Sequence, residues 1–126
     1  MNTLSNLIEL LGIKTVSVSQ AEVIISLEVT DSVKQPYGIL HGGINSVLAE
    51  TAASIGANER LDNSHYAVGV DITTQHLLPV FDGKLVATAT PLHAGGHLQT
   101  WRVAIHNGNR LTSFSTVTLT NVAQKS

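Results

Sequence analysis

Cysteine is absent from all 126 residues, which excludes disulfides, thiolate-bound zinc and a cysteine nucleophile. Charge is sparse too. Seven Lys/Arg and nine Asp/Glu, 13% of the chain with a formal net charge of -2, are scattered and form no basic stripe for a phosphate backbone, so nucleic acid is not an expected partner. With only two Phe, two Tyr and one Trp, no pocket of stacked rings is evident. Nor does any run approach the roughly 18 to 20 apolar residues of a membrane span. The opening MNTLSNLIELLG lacks a basic n-region, and its Leu4, Leu7, Ile8 and Leu11 are helically spaced. It reads as a packing helix rather than a signal peptide, and the chain is expected in the cytoplasm.

What is present is a hydrophobic content of 43%, enough for one globular domain spanning 1–126. Gly12 stops the first helix. Ile13 to Val18 and Ala21 to Val29 read as a hairpin around Ser19-Gln20. Asp31 to Gly43, with Pro36, Gly38, Gly42 and Gly43, reads as a loop. Ile44 to Leu61 follows as one long helix, rich in alanine and apolar around most of its girth. Four β-rich runs come next, Tyr66 to Val80, Lys84 to Pro91, Leu98 to His106 and Arg110 to Val122. Asp82-Gly83, Gly95-Gly96 and Asn107-Gly108-Asn109 separate them, so they are expected to form a meander. This order predicts an α+β architecture, one antiparallel sheet wrapped around one long central helix. A helix so apolar in so small a chain also predicts that subunits associate.

Chemistry concentrates between Gln35 and Ser54. Glu50 lies within the most apolar helix, where burial favours the protonated form of a carboxyl and suits a general base working near neutrality; the plain alternative is a half-exposed or salt-bridged helix glutamate. His41-Gly42-Gly43 stands where that helix begins. Free N–H groups of the first turn and the positive end of the dipole are available there to a developing oxyanion, unless the glycines only turn the chain. Ser54, one turn beyond Glu50, either holds a water or a substrate group or simply packs. Gln35 is a polar loop residue before a proline.

Taken together, QPYGILHGG, then LAE, then a serine four residues past the glutamate resemble the motif of the hotdog-fold acyl-CoA thioesterases. The similarity is to the 4-hydroxybenzoyl-CoA and phenylacetate-pathway type, and most to the branch that includes 1,4-dihydroxy-2-naphthoyl-CoA thioesterase. It continues through Val68-Gly69-Val70-Asp71 with His76, Pro91 to His97, Trp101 and the Thr-rich last strand. The resemblance implies a hotdog fold, hydrolysis of an acyl-CoA thioester without metal or cofactor, and a homodimer that usually pairs into a tetramer. It also implies Glu50 as base or nucleophile, the Gly42 N–H on the carbonyl, and Gln35 and His41 orienting that carbonyl, with Ser54 assisting. Gly69, His76, Leu78, His93, Gly95, Gly96 and His97 then fall on the substrate side. Relatives often carry a basic residue in the CoA-binding strands where this chain has Leu78 and His97, which leaves Lys34, Lys84, Arg102 and Arg110 as alternative phosphate contacts.

Spacing adds an inference of its own. Gly42 and Glu50 are eight residues apart, about 12 Å of rise along one helix at ~1.5 Å per residue, whereas base and oxyanion donor must converge on one carbonyl. Two antiparallel helices related by a two-fold axis solve this by pairing Glu50 of one subunit with Gly42 of the other. Three rival readings are a hydratase or dehydratase of acyl thioesters using His41 and Glu50, a metal site at His93 and His97, and a non-catalytic acyl-CoA binding module. The Gly95-Gly96 turn and the lack of a completing ligand cluster disfavour metal, and a purely binding role needs no carboxylate in an apolar helix.

Overall fold

The computed structural model describes residues 6–124. In chain order it contains α1 (Leu7–Leu11), β1 (Lys14–Val18), β2 (Val23–Glu28), a 3-10 turn (Asp31–Val33), α2 (Gly42–Glu59), β3 (His65–His76), β4 (Lys84–Ala94), β5 (Leu98–Asn107) and β6 (Arg110–Ala123). Residue Leu4 of the predicted first helix lies outside the described residues. The strands form one antiparallel sheet in the order β1-β2-β4-β5-β6-β3. Period-two patterning makes one face apolar: β5 turns Gln99, Trp101, Val103 and Ile105 inward, and β4 turns Leu85, Ala87 and Ala89. Against this face lies α2, burying Leu48, Ala49, Ala52, Ala53 and Ala57. Small alanine side chains let the helix axis approach the sheet. This is the α+β hotdog architecture that the sequence predicts, a sheet wrapped around one long helix.

The four-strand meander is not observed. Only β4, β5 and β6 follow one another as neighbours, while β3 sits beyond β6 at the far edge. The reason is the connection: α2 crosses the inner face after β2 and delivers the next strand to the opposite side of the sheet. β3 also stops at His76 rather than Val80, because the N–H groups of Leu77 and Leu78 both turn to the carbonyl of Thr112 (2.9 and 3.2 Å). β4 runs on past Pro91 through a bulge between Pro91 and His93, the irregularity expected where a residue has no N–H to give. The long helix begins at Gly42, two residues earlier than predicted, because His41 caps it. α1 buries none of its residues fully; Leu7, Ile8 and Leu10 are exposed, and the packing expected of this helix is made within the chain by the partly buried Leu11.

A polar network pins α2. Near its end, Trp101 Nε1 donates to Gln99 Oε1 (3.0 Å), and Gln99 Nε2 donates to the Ala57 carbonyl and to Asn121 Oδ1 (both 3.1 Å). Asn121 Nδ2 in turn donates to the carbonyls of Gly95 and Gly96, so one chain of amides, buried at Gln99 and exposed at its far end, joins the helix to the β4–β5 turn. Beyond the helix, the Ser64 hydroxyl, with His65 and the Ser64 N–H, holds the exposed Asp62 carboxyl down at a pKa of about 2.

Gly56 meets the indole of Trp101 directly, and a Cβ there would overlap the ring. Gly56→Ala gains about 1 kcal/mol in helix propensity but incurs an overpacking cost of about 1–3 kcal/mol against a ring that its Gln99 hydrogen bond holds in place. We expect a net loss of about 1 kcal/mol in urea denaturation. A variant as stable as wild type would mean that Trp101 can slide aside.

Candidate active site

The loop Lys34–Leu40 is closed by a bridge between its ends. Gln35 N–H donates to the Ile39 carbonyl (2.7 Å), and Gly38 N–H donates to the Gln35 carbonyl (3.0 Å). Gly38 takes φ +84°, a left-handed conformation that glycine adopts without penalty. His41 then enters extended, and its Nδ1 accepts the Gly43 N–H (2.9 Å). A backbone N–H can only donate, so the neutral ring carries its proton on Nε2. Ile44 N–H goes to the His41 carbonyl (3.0 Å), and the Gly42 N–H has no acceptor among the described residues. The helix start therefore offers the Gly42 N–H, at the positive end of an 18-residue helix. It opens on a cavity of about 340 Å³ lined by Gln35, Leu40, Gly42, Asn45, His76 and Leu78, among others.

Glu50 lies two turns on. It is half-buried in the chain, the partly exposed helix glutamate of the plain alternative rather than a fully enclosed one, and no hydrogen bond or ion pair engages its carboxylate among the described residues. Its carboxylate presses on the backbone of Gly69 in β3, where a Cβ would overlap Oε2. Missing a side chain, Gly69 lets the carboxylate reach the edge strand of the sheet. Ser54 shares with Glu50 a groove of about 480 Å³, bounded also by Ile8, Thr51, Ile55 and Asn58. Gly69→Ala is expected to displace the carboxylate by about 1 Å and to lower kcat about 10²-fold, the scale on which such misplacements act. A folded Gly69→Ala protein with wild-type kcat would detach Glu50 from the chemistry.

Within one chain the predicted catalytic residues are thus divided. Gln35 and Gly42, with His76 and Leu78, face the first cavity; Glu50 and Ser54 face the second; no lining residue is common to the two. His93, Gly95, Gly96 and His97 line neither. They lie about the β4–β5 turn, tied by Asn121 toward the other end of α2. Of the cations, Lys34 pairs with Asp31 (3.2 Å) and Lys84 with Glu28 (3.8 Å), while Arg102 and Arg110 are exposed. Among the described residues no three His, Asp or Glu side chains converge as a metal-ligand set, and no helix is long and apolar enough to cross a membrane.

The family model described as "Thioesterase superfamily" matches residues 37–114, a span that includes Gly42, Glu50 and Ser54 and starts two residues after Gln35. The chain belongs to the thioesterase superfamily. As a member of it, the protein is a thioester hydrolase. It is 42% identical over 97 residues to a 1,4-dihydroxy-2-naphthoyl-CoA hydrolase of Listeria monocytogenes, covering 77% of this chain and 79% of that one. Among solved structures, a thioesterase from Haemophilus influenzae superposes with a TM-score of 0.88 at 34% identity, over 92% of this chain and 82% of the other. A thioesterase enzyme from Staphylococcus aureus, in a single-substitution variant, gives 0.89 at 32% identity over 91% and 97%.

Several polar residues of this thioesterase escaped the sequence reading. Asn45 contacts His76 (Nδ2 to Nδ1, 3.1 Å), and Ser46, Thr74 and Ser115 form a hydroxyl chain (3.0 and 2.8 Å) from α2 across β3 to β6. Asn58 Oδ1 accepts the Ala67 N–H (2.9 Å) near the other end of the helix. The partners are far apart in sequence, and only an unexpected polar residue on the inward face of an apolar helix, as Asn45 is, signals such a link.

Proposed function

We propose that the protein hydrolyses an acyl-CoA thioester with an aromatic or medium-size acyl group to the free acid and CoA, at two sites shared between the subunits of a homodimer. The observation that carries this reading is the division of the half-sites: Gln35 and Gly42 open into one cavity and Glu50 into another. A second subunit, its α2 antiparallel, brings a Glu50 to each Gly42. Among the described residues the β3 edge has no strand on its outer side, and it exposes Val68 and Val70, a surface suited to such a partner. Two such dimers then assemble as a tetramer, in the cytoplasm.

In this scheme the thioester oxygen accepts from the Gly42 N–H, with Gln35 and His41 orienting the carbonyl. Glu50 takes a proton from water as the water oxygen attacks the carbonyl carbon. The C–S bond then breaks, and the proton passes to the CoA thiolate. Attack by the Glu50 carboxylate itself, followed by hydrolysis of the resulting anhydride, gives the same products. Ser54 holds the water or the acyl group, and His93, Gly95, Gly96 and His97 contact the CoA portion. No cofactor beyond the substrate's own CoA is required. The 1,4-dihydroxy-2-naphthoyl-CoA hydrolase name of the Listeria relative favours an aromatic acyl group.

The test is thiol release from aryl-, naphthoyl- and alkyl-CoA esters, compared by kcat/KM, with an enoyl-CoA alongside. Thiol release from saturated esters supports the proposal. Hydration of the enoyl-CoA without thiol release would identify a hydratase, and tight binding with no turnover a binding module.

A further inference from the structure

Asn45 is only 5% exposed, yet its Oδ1 has no hydrogen-bond partner among the described residues, and it stands in the wall of the Gly42 cavity. Its Nδ2 lies 3.1 Å from His76 Nδ1. The His76 ring in turn covers Gly42 so closely that a Cβ there would be 3.0 Å from Cε1 and 3.2 Å from Nε2. Glycine at this position is what lets the imidazole pack against the start of α2, in the wall of the same cavity. An amide nitrogen only donates, so His76 Nδ1 accepts and the neutral ring carries its proton on Nε2. Turning the amide over would hand Oδ1 to His76 and strand both N–H donors of the Asn45 side chain in the interior. Buried donors without acceptors are rarer than carbonyls without donors, so the orientation that leaves Oδ1 over is preferred.

We propose that Asn45 is a positioning residue that holds His76 in the Nε2–H tautomer, so that His76 and the Gly42 N–H face the thioester carbonyl as two adjacent donors. This rests on the reading that the carbonyl lies at the Gly42 end. It gives His76 a defined role: its Nε2–H strengthens its hydrogen bond as charge grows on the carbonyl oxygen. The acceptor left on Asn45 makes a simple swap informative. Asp is nearly the same shape but can only accept, so Asn45→Asp draws the ring proton onto Nδ1 and turns a lone pair toward the carbonyl. Asn45→Ala instead leaves the ring its own preference.

Two-bond proton–nitrogen NMR of protein labelled at histidine nitrogen reads the tautomer directly. Spectra are taken at about pH 9, above the ordinary histidine pKa of about 6.5, and the His76 signals are assigned by their loss in His76→Gln. We expect the proton on Nε2 in wild type and on Nδ1 in Asn45→Asp. In thiol-release assays Asn45→Asp should lose about 10²-fold in kcat, the scale of a missing oxyanion donor, with KM within about threefold. Asn45→Ala should retain more activity than Asn45→Asp although it is the larger truncation, an order that a purely structural role does not produce. A wild-type proton on Nδ1, an unchanged tautomer in Asn45→Asp, or an alanine variant less active than the aspartate variant would overturn the proposal. Failure of wild type to release thiol from any CoA ester would instead sink the placement of the carbonyl at Gly42, and the two spectra would still decide whether Asn45 sets the tautomer.

Discussion

Glu50→Gln is expected to lower kcat by about 10³-fold or more while leaving the assembly and the binding of a CoA ester close to wild type. A positioned general base contributes about 10²–10⁴-fold, and loss of a nucleophile acts at least as strongly. The substitution keeps the side-chain volume, so the packing against Gly69 survives and the fold is not at stake. Because the lost interaction is made with the attacking water and not with the bound ester, kcat and kcat/KM should fall together with KM little changed. His41→Ala and Gln35→Ala should each be milder, since the Gly42 N–H remains, and removal of one donor typically costs about 10²–10³-fold. Near-normal turnover by the glutamine variant, or a larger loss from either alanine variant, would assign the principal catalytic role to another residue.

The second large effect is a gain. A subunit carrying Glu50→Gln and a subunit carrying His41→Ala with Gln35→Ala each form homodimers impaired at both sites. In a mixed dimer of the proposed geometry both lesions fall in one site, and the other site has an intact Glu50 and an intact carbonyl end. Random exchange makes about half the dimers mixed, so about one quarter of all sites should work. Activity should rise from near the floor of the parents toward about a quarter of wild type once subunits are reshuffled. Native mass spectrometry checks that mixed dimers have formed; mixed dimers no more active than the mean of the parents would place the whole site in one chain, against the separation of Glu50 from Gly42 along α2.

How much of this was legible beforehand follows from which signals are local. The alternation in Leu98 to His106 and the alanine-rich stretch after Gly43 are local, and both became the expected elements within a residue or two at most ends. The position of β3 is not local. Its run looked like the first strand of a four-strand meander, and only the passage of α2 across the sheet sends it to the far edge. Among candidate site residues, Gly42 was singled out by the family resemblance, since a Gly-Gly pair alone could equally turn the chain; the structure adds that it opens the helix. Gly69 was expected on the substrate side, and the structure adds that it makes room for Glu50. The role of His41 as helix cap, which spends the Gly43 N–H and singles out that of Gly42, depends on a ring orientation that spacing does not show.

The pairing of β3 with β6 also sets an order of events in the growing chain. His76 lies opposite Ser113 and His65 opposite Ala123, so the strand against which Glu50 rests has no ladder partner until the last strand has been made. Synthesis at about 5–20 residues per second puts a few seconds between the end of β3 and the arrival of its partner. During that interval only α2, through Asn58 near one end and Ser46 near the other, can hold β3 close to its final place. The edge that carries Gly69 is thus the last part of the sheet to close, and a chain that stops short of β6 leaves Gly69, and with it the seat of Glu50, unsupported.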